Sequence, residues 1–215
     1  AAILVEPFQS SAGYIVPPPE YLQGLKAICD RYGILFVSDE VQSGMGRTGK
    51  MWAIEHSGVV PDLIVSAKCI SNGLPISICA GRKEILDSWG PAAHTTTFSG
   101  YPVACAGGLK VIEIFQRDKI VEQVAEKGKF LGDGLVDLQN RHPLIGHIDC
   151  KGLYAAMELV RNQETKEPAV KETAFVSAAC LEEGLVFITS GYFYNRLAFA
   201  PPFVISRKEI EKGLN

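Results

Sequence analysis

Two short apolar runs, each stopped by an ionisable side chain, constrain this 215-residue chain more than any other feature. Ile34-Leu-Phe-Val-Ser ends in Asp39, and Leu63-Ile-Val-Ser-Ala ends in Lys68. Runs of branched and aromatic residues with no polar alternation mark strands buried on both faces of a parallel sheet. Such a sheet gathers its ligands in the crevice at the carboxyl ends of its strands, so a carboxylate and an amine can meet there. Taken alone, such a pair is more often two surface residues that merely terminate strands.

The rest of the pattern is α/β. Ile3-Leu-Val-Glu6-Pro7 is another short strand, stopped by proline and again delivering a carboxylate, and Gln9 to Gly13 is a small polar loop. Pro17-Pro-Pro-Glu20 opens a helix predicted from Tyr21 to about Tyr32, with Leu22, Leu25, Ile28 and Cys29 on one face and Gly33 as its stop. After Lys68 the link Ser71 to Pro75 is too short for a crossover helix, which predicts that Ile76 to Ala80 runs antiparallel to the lysine strand. Helices are expected from about Val103 to Phe115 and from Ile120 to Asn140, the second amphipathic. From Pro143 short strands (145–148, 153–160, 186–189, 197–200) alternate with helices (170–183 and from Arg207), a small α+β unit. The expected organisation is therefore a larger domain over 1–140 and a smaller, incomplete one over 141–215.

Composition excludes several classes. A formal net charge of -3 with no dense Lys/Arg block gives no footprint for nucleic acid or an anionic membrane. The six cysteines are dispersed with no CxxC pair, the usage of reduced, buried thiols in a cytoplasmic protein. The four histidines show no ligand spacing with any cysteine, so no metal is expected. Ser43 to Gly49 is glycine-rich but fits neither GxxxxGK[ST] nor GxGxxG, and a turn packed beside a site is the better reading. The chain begins in a strand, without Met or a charged leader, as though cut from something longer.

A lysine and a carboxylate at neighbouring strand ends are what a pyridoxal 5'-phosphate site requires: the amine forms a Schiff base, and the acid keeps the pyridine nitrogen protonated. The segments Val5-Glu-Pro-Phe-Gln9, Asp39 to Gly49, Val60-Pro-Asp-Leu-Ile-Val-Ser-Ala-Lys68, Gly73-Leu-Pro75 and His94 to Pro102 stand in the order and spacing of the class III (omega) aminotransferases. The resemblance runs through essentially the whole chain to Ala200-Pro-Pro202. It implies a fold type I enzyme, with the larger domain forming part of its mostly parallel sheet, and the chain looks like the C-terminal half of a member. It further implies that the enzyme moves an amino group from an amine or amino acid to a 2-oxo acid.

Carried over residue by residue, the resemblance makes Lys68 the Schiff-base lysine and proton shuttle, and Asp39 the partner of the pyridine nitrogen. Val41 would pack on the ring, Gln42 would reach its phenolic oxygen, and Thr97 would bind the cofactor phosphate of a neighbouring subunit, which implies a homodimer. Glu6 would line the site, with a structural salt bridge as the alternative, and the GRTG arginine, Arg47, would be structural. Departures bear on substrate. Ser11 stands where relatives acting on 4-aminobutyrate or ornithine carry glutamate, and Ala198 replaces the arginine that grips a substrate carboxylate. Arg196, two residues earlier on the same strand face, either substitutes for it or is an ordinary exposed arginine. Tyr101 replaces the usual asparagine before the proline, which touches the shape of the phosphate loop. The family's other half supplies the glycine-rich phosphate turn and the stacking aromatic. Racemisation or epimerisation of amino acids, and dialkylglycine-type decarboxylation, begin from the same chemistry, while a non-catalytic fragment or binding module is the alternative of another class.

Overall fold

The computed structural model describes residues 1–215, which divide into two compact units. The first comprises Ala1–Pro7, Pro17–Gly46 and Lys50–Val121. Its sheet has the order β1-β2-β3-β4, with β1 Ala2–Val5, β2 Leu35–Asp39, β3 Leu63–Ser66 and β4 Ile78–Gly81. β1, β2 and β3 are parallel, and β4 runs antiparallel to β3 with Leu63 opposite Gly81, as the short link after Lys68 requires. The crossover between β1 and β2 is helix α1, Pro19–Tyr32, started by proline in its first turn and stopped at Gly33. Its apolar face buries Leu22 and Cys29 against Phe36 of β2 and Ile54, with Ile3, Val5 and Ile64 around them. A four-residue helix α2, Lys83–Leu86, and helix α3, Pro102–Arg117, follow.

The second unit comprises Phe8–Val16, Arg47–Gly49 and Glu122–Asn215. Its antiparallel sheet has the order β5-β6-β8-β7, with β5 Ile145–Lys151, β6 Tyr154–Leu159, β7 Ile188–Ser190 and β8 Arg196–Phe199. Helices α4 (Ile120–Arg141), α5 (Val170–Glu182) and α6 (Arg207–Leu214) complete it. The sequence places the change of character near residue 141, whereas the compact units part at Val121 and Glu122. The reason lies in packing within the second unit: Gly128 and Gly132 of α4 seat directly on Gly152 and Cys150 of the β5–β6 hairpin. The short segment Arg47–Gly49 joins the same unit, where Arg47 donates to the carbonyls of Leu153 and Pro201 and lies 4.0 Å from the Phe203 ring centroid.

Candidate functional site

β2 and β3 are hydrogen-bonded parallel neighbours with Asp39 opposite Val65, so both leave the sheet at one end. Asp39 is the last residue of β2. Beyond β3, Ala67 leads into a single 3-10 turn, Lys68–Ile70. Lys68 is exposed and takes φ +46°, a left-handed conformation that costs a residue with a Cβ on the order of 1–3 kcal/mol. Its Nζ donates to Oε1 of Gln42. Asp39 Oδ1 accepts the Val41 N–H at 3.0 Å, an Asx turn that folds the chain back over the strand end. The carboxylate's other oxygen has no partner. Asp39, Val41 and Gln42 are all half-buried. The structure thus brings Lys68, Gln42 and the Asp39 turn to one end of one sheet.

The anchor of this arrangement is a residue to which the sequence assigns no role. Glu40 is 1% exposed and accepts four hydrogen bonds, two from backbone N–H groups (Ala53 at 2.9 Å, Ile54 at 2.8 Å) and two from hydroxyls (Ser43 at 3.2 Å, Ser38 at 3.4 Å). Burial pushes its carboxyl above the ordinary range, although all four hydrogen bonds pull the other way. Glu40 ties the strand exit to the 3-10 helix Ala53–Ser57 and so fixes the backbone on either side of Val41 and Gln42. Gly44 belongs to the same clamp, because a Cβ there would stand 2.6 Å from the Glu40 carbonyl oxygen and 2.8 Å from its Cβ. The available signal was an acid placed directly after a buried strand and before Ser43 and Gly44, since a charge in such surroundings must find partners.

The other expected residues lie in both units. Glu6 directly follows β1, whose Val5 lies opposite Ser38, so it leaves the sheet at the same end as Asp39 and is half-buried. Thr97 opens a turn in an almost wholly exposed stretch, and its hydroxyl makes no hydrogen bond within the chain. Tyr101 stands edge-on to Phe98 in that stretch, ring centroids 6.2 Å apart. Ser11 and Arg196 belong to the second unit, where Ser11 is exposed. Arg196 corrects one expectation. It is no exposed arginine but 7% exposed, and it is paired with Asp149.

The Aminotransferase class-III family model matches residues 1–215. The chain belongs to the class III aminotransferases. It is 39% identical over 214 residues to a 5-aminovalerate aminotransferase of Pseudomonas aeruginosa, covering 100% of this chain and 50% of that protein. It is 41% identical over 217 residues to a leucine/methionine racemase of Thermococcus litoralis, covering 100% of this chain and 48% of that one. Among solved structures, a transaminase from the marine bacterium Virgibacillus superposes with a TM-score of 0.93 at 35% identity, over 100% of this chain and 51% of that one. A Bacillus anthracis aminotransferase gives 0.93 at 38%, over 100% and 50%. This class III chain spans about half the length of the curated relatives it matches. Its fold is the expected one, a mostly parallel sheet with an antiparallel edge strand and a separate antiparallel α+β unit, the architecture of the fold type I transaminases.

Proposed function

We propose that this chain carries the lysine half of a pyridoxal 5'-phosphate-dependent aminotransferase, which moves an amino group from an amine or amino acid to a 2-oxo acid. The observation that carries the reading is the meeting of Lys68, Gln42 and Asp39 at the carboxyl ends of adjacent parallel strands. The donor set fits the cofactor. Lys68 offers a primary amine tethered to a neutral amide, not to a carboxylate, and Asp39 keeps one oxygen unengaged for a ring N–H. Bound pyridoxal phosphate supplies an aldehyde that condenses with amines and a protonated ring that withdraws electrons. Asp39 would hold the proton on the ring nitrogen, Val41 would pack on the ring, and Gln42, which already holds the Lys68 amine, would reach the ring oxygen. Lys68 Nζ would take the proton from the substrate α carbon and pass it to the aldehyde-derived carbon of the cofactor.

Thr97 binds the phosphate of a second copy on this reading. A homodimer follows from that role, and Trp89 (55%), Phe98 (69%) and Leu109 (69%) leave apolar surface for the rest of the full-length enzyme or a second copy to cover. A cytoplasmic location belongs to the same reading, and no helix is long and apolar enough to cross a membrane. The test uses the full-length enzyme: cofactor addition should give a visible absorbance band, and borohydride followed by peptide mass analysis should find the cofactor on the Lys68 peptide. Cofactor fixed to another lysine, or a band that survives Lys68→Ala, overturns the assignment.

A second reading, amino-acid racemisation, is favoured by the Thermococcus relative and by Ala198 standing where a carboxylate-gripping arginine is usual. Deuterium uptake with inversion and no loss of the amino group marks it; appearance of a new amino acid from pyruvate marks transamination.

A further inference from the structure

One ion pair organises the polar face of the second sheet. Register partners set His147, Glu158, Arg196 and Ser190 in one row across β5, β6, β8 and β7, and Asp149, Ala156, Ala198 and Ile188 in the next. Cross-strand partners and residues two apart share a sheet face, so Arg196 and Asp149 meet diagonally over two alanines. Both are buried, and Arg196 Nη2 donates to Asp149 Oδ2. Asp149 is the one carboxylate the guanidinium engages, and Arg196 Nε is buried without an acceptor.

The same pair holds the segment Phe8–Val16. Asp149 Oδ1 accepts the Val16 N–H at 3.0 Å. Gly13 lies on the arginine stem, where at φ +125° a Cβ would stand 2.5 Å from Arg196 Cδ. Tyr14 stacks on Tyr154 with centroids 4.1 Å apart, and the Tyr154 hydroxyl donates to the Phe8 carbonyl at 3.3 Å. Gln9 and Ile15 exchange backbone hydrogen bonds of 3.1 and 2.9 Å, which closes the loop. Its tip, Ser11 and Ala12, stays exposed.

We propose that Arg196 is a positioning residue: through Asp149 it sets the Phe8–Val16 loop that presents Gln9 and Ser11, and it does not read a substrate carboxylate. Resting on the aminotransferase reading, in which the family resemblance ties Ser11 to substrate, this makes the use of any donor depend on the shape of the loop that carries Ser11.

The test uses the full-length holoenzyme with alanine and isopropylamine, which differ by a carboxylate against a methyl. Arg196→Met removes the pair. Asp149→Asn keeps an oxygen for Val16 while turning an NH2 toward the guanidinium. Both variants should lower kcat/KM for the two donors in parallel, the ratio moving by less than about 3-fold, and both should speed hydrogen exchange over residues 9–16. Arg196→Lys, which keeps a cation for Asp149, should restore most of both. A carboxylate clamp instead predicts that Arg196→Met costs alanine on the order of 100-fold while isopropylamine is untouched, which would overturn the proposal. Unchanged exchange over 9–16 in both variants would overturn it as well. If the wild type uses neither donor, the exchange result alone decides whether the pair positions the loop, while the aminotransferase reading stands or falls on cofactor attachment to Lys68.

Discussion

Replacing Glu40 by glutamine changes one oxygen to NH2 and leaves the shape almost untouched, so it isolates what the buried carboxylate does. Each carboxylate oxygen faces one backbone N–H and one hydroxyl: Oε2 takes Ala53 and Ser43, and Oε1 takes Ile54 and Ser38. The hydroxyls can turn and accept from the new NH2, but the facing backbone N–H cannot. One charge-assisted hydrogen bond worth about 1.5–3 kcal/mol is lost, and a stranded buried N–H adds about 1–3 kcal/mol. Removing a buried charge gives some of this back, leaving a net loss of about 2–4 kcal/mol. At about 1.4 kcal/mol per decade, the Ala53 and Ile54 amides should exchange roughly 30- to 800-fold faster when measured at about pH 8. The substitution should also flatten a pH dependence. Desolvation raises the folded carboxyl above its ordinary value of 4.5, so the native state binds the proton more tightly than the unfolded chain. The stability this adds is complete below the unfolded value and is lost as pH rises through the folded one. Exchange within about 3-fold of wild type at both amides, with the pH slope retained, would refute the view that Glu40 clamps the strand exit.

Asp39→Asn should leave the fold intact and cofactor bound while turnover falls by about 100-fold or more, read by pre-steady-state absorbance; undiminished turnover would remove Asp39 from the ring nitrogen. The His147 imidazole is held above its usual 6.5 by Asp149, 3.6 Å away, so its contribution to stability is present below 6.5 and fades as pH rises through the raised value. Thermal melts of His147→Gln should lose that acid-side increment and match wild type in the alkaline range. Burial pushes the Cys150 thiol up to about 12, which leaves about one thiolate in ten thousand at pH 8. Iodoacetamide should therefore label Cys150 only under denaturing conditions; rapid native labelling would contradict its placement.

The strand framework was legible because periodicity and length decide it locally: β2, β3 and the antiparallel β4 stand where apolar runs and a short link put them. The termini of Asp39 and Lys68 were legible for the same reason. Glu40 was not, because two of its four donors are backbone amides of Ala53 and Ile54, groups every residue carries and no sequence marks. The burial of Arg196 was not legible because its partner Asp149 lies 47 residues away, and the diagonal that joins them depends on a register that slips at a bulge between Ile145 and His147. The parting of the units inside α4 was equally hidden, since an amphipathic stripe shows that a helix is packed without naming the sheet it packs on.

What holds the lysine matters more than its nearness to an acid. Had Asp39 paired directly with Lys68, two unit charges at 4 Å would attract by about 4 kcal/mol at an effective dielectric of 20, and the amine would have to break that pair before meeting an aldehyde. The structure divides the work differently. Asp39 is oriented by the Val41 N–H and keeps an oxygen open, while Lys68 is tethered to the neutral Gln42 amide, a bond whose net worth is nearer 1 kcal/mol. Gln42 can play that part only if its backbone is fixed from elsewhere, and the element that fixes it is Glu40. On the proposed reading, then, the first of two consecutive carboxylates stays available because the second is fully engaged. Gln42→Glu is the substitution that distinguishes this division of labour from mere proximity. It should trap Lys68 in an ion pair and slow capture of the cofactor by on the order of 100-fold, whereas Gln42→Ala should slow it far less. Equal effects from the two would mean that the amide serves only as filling.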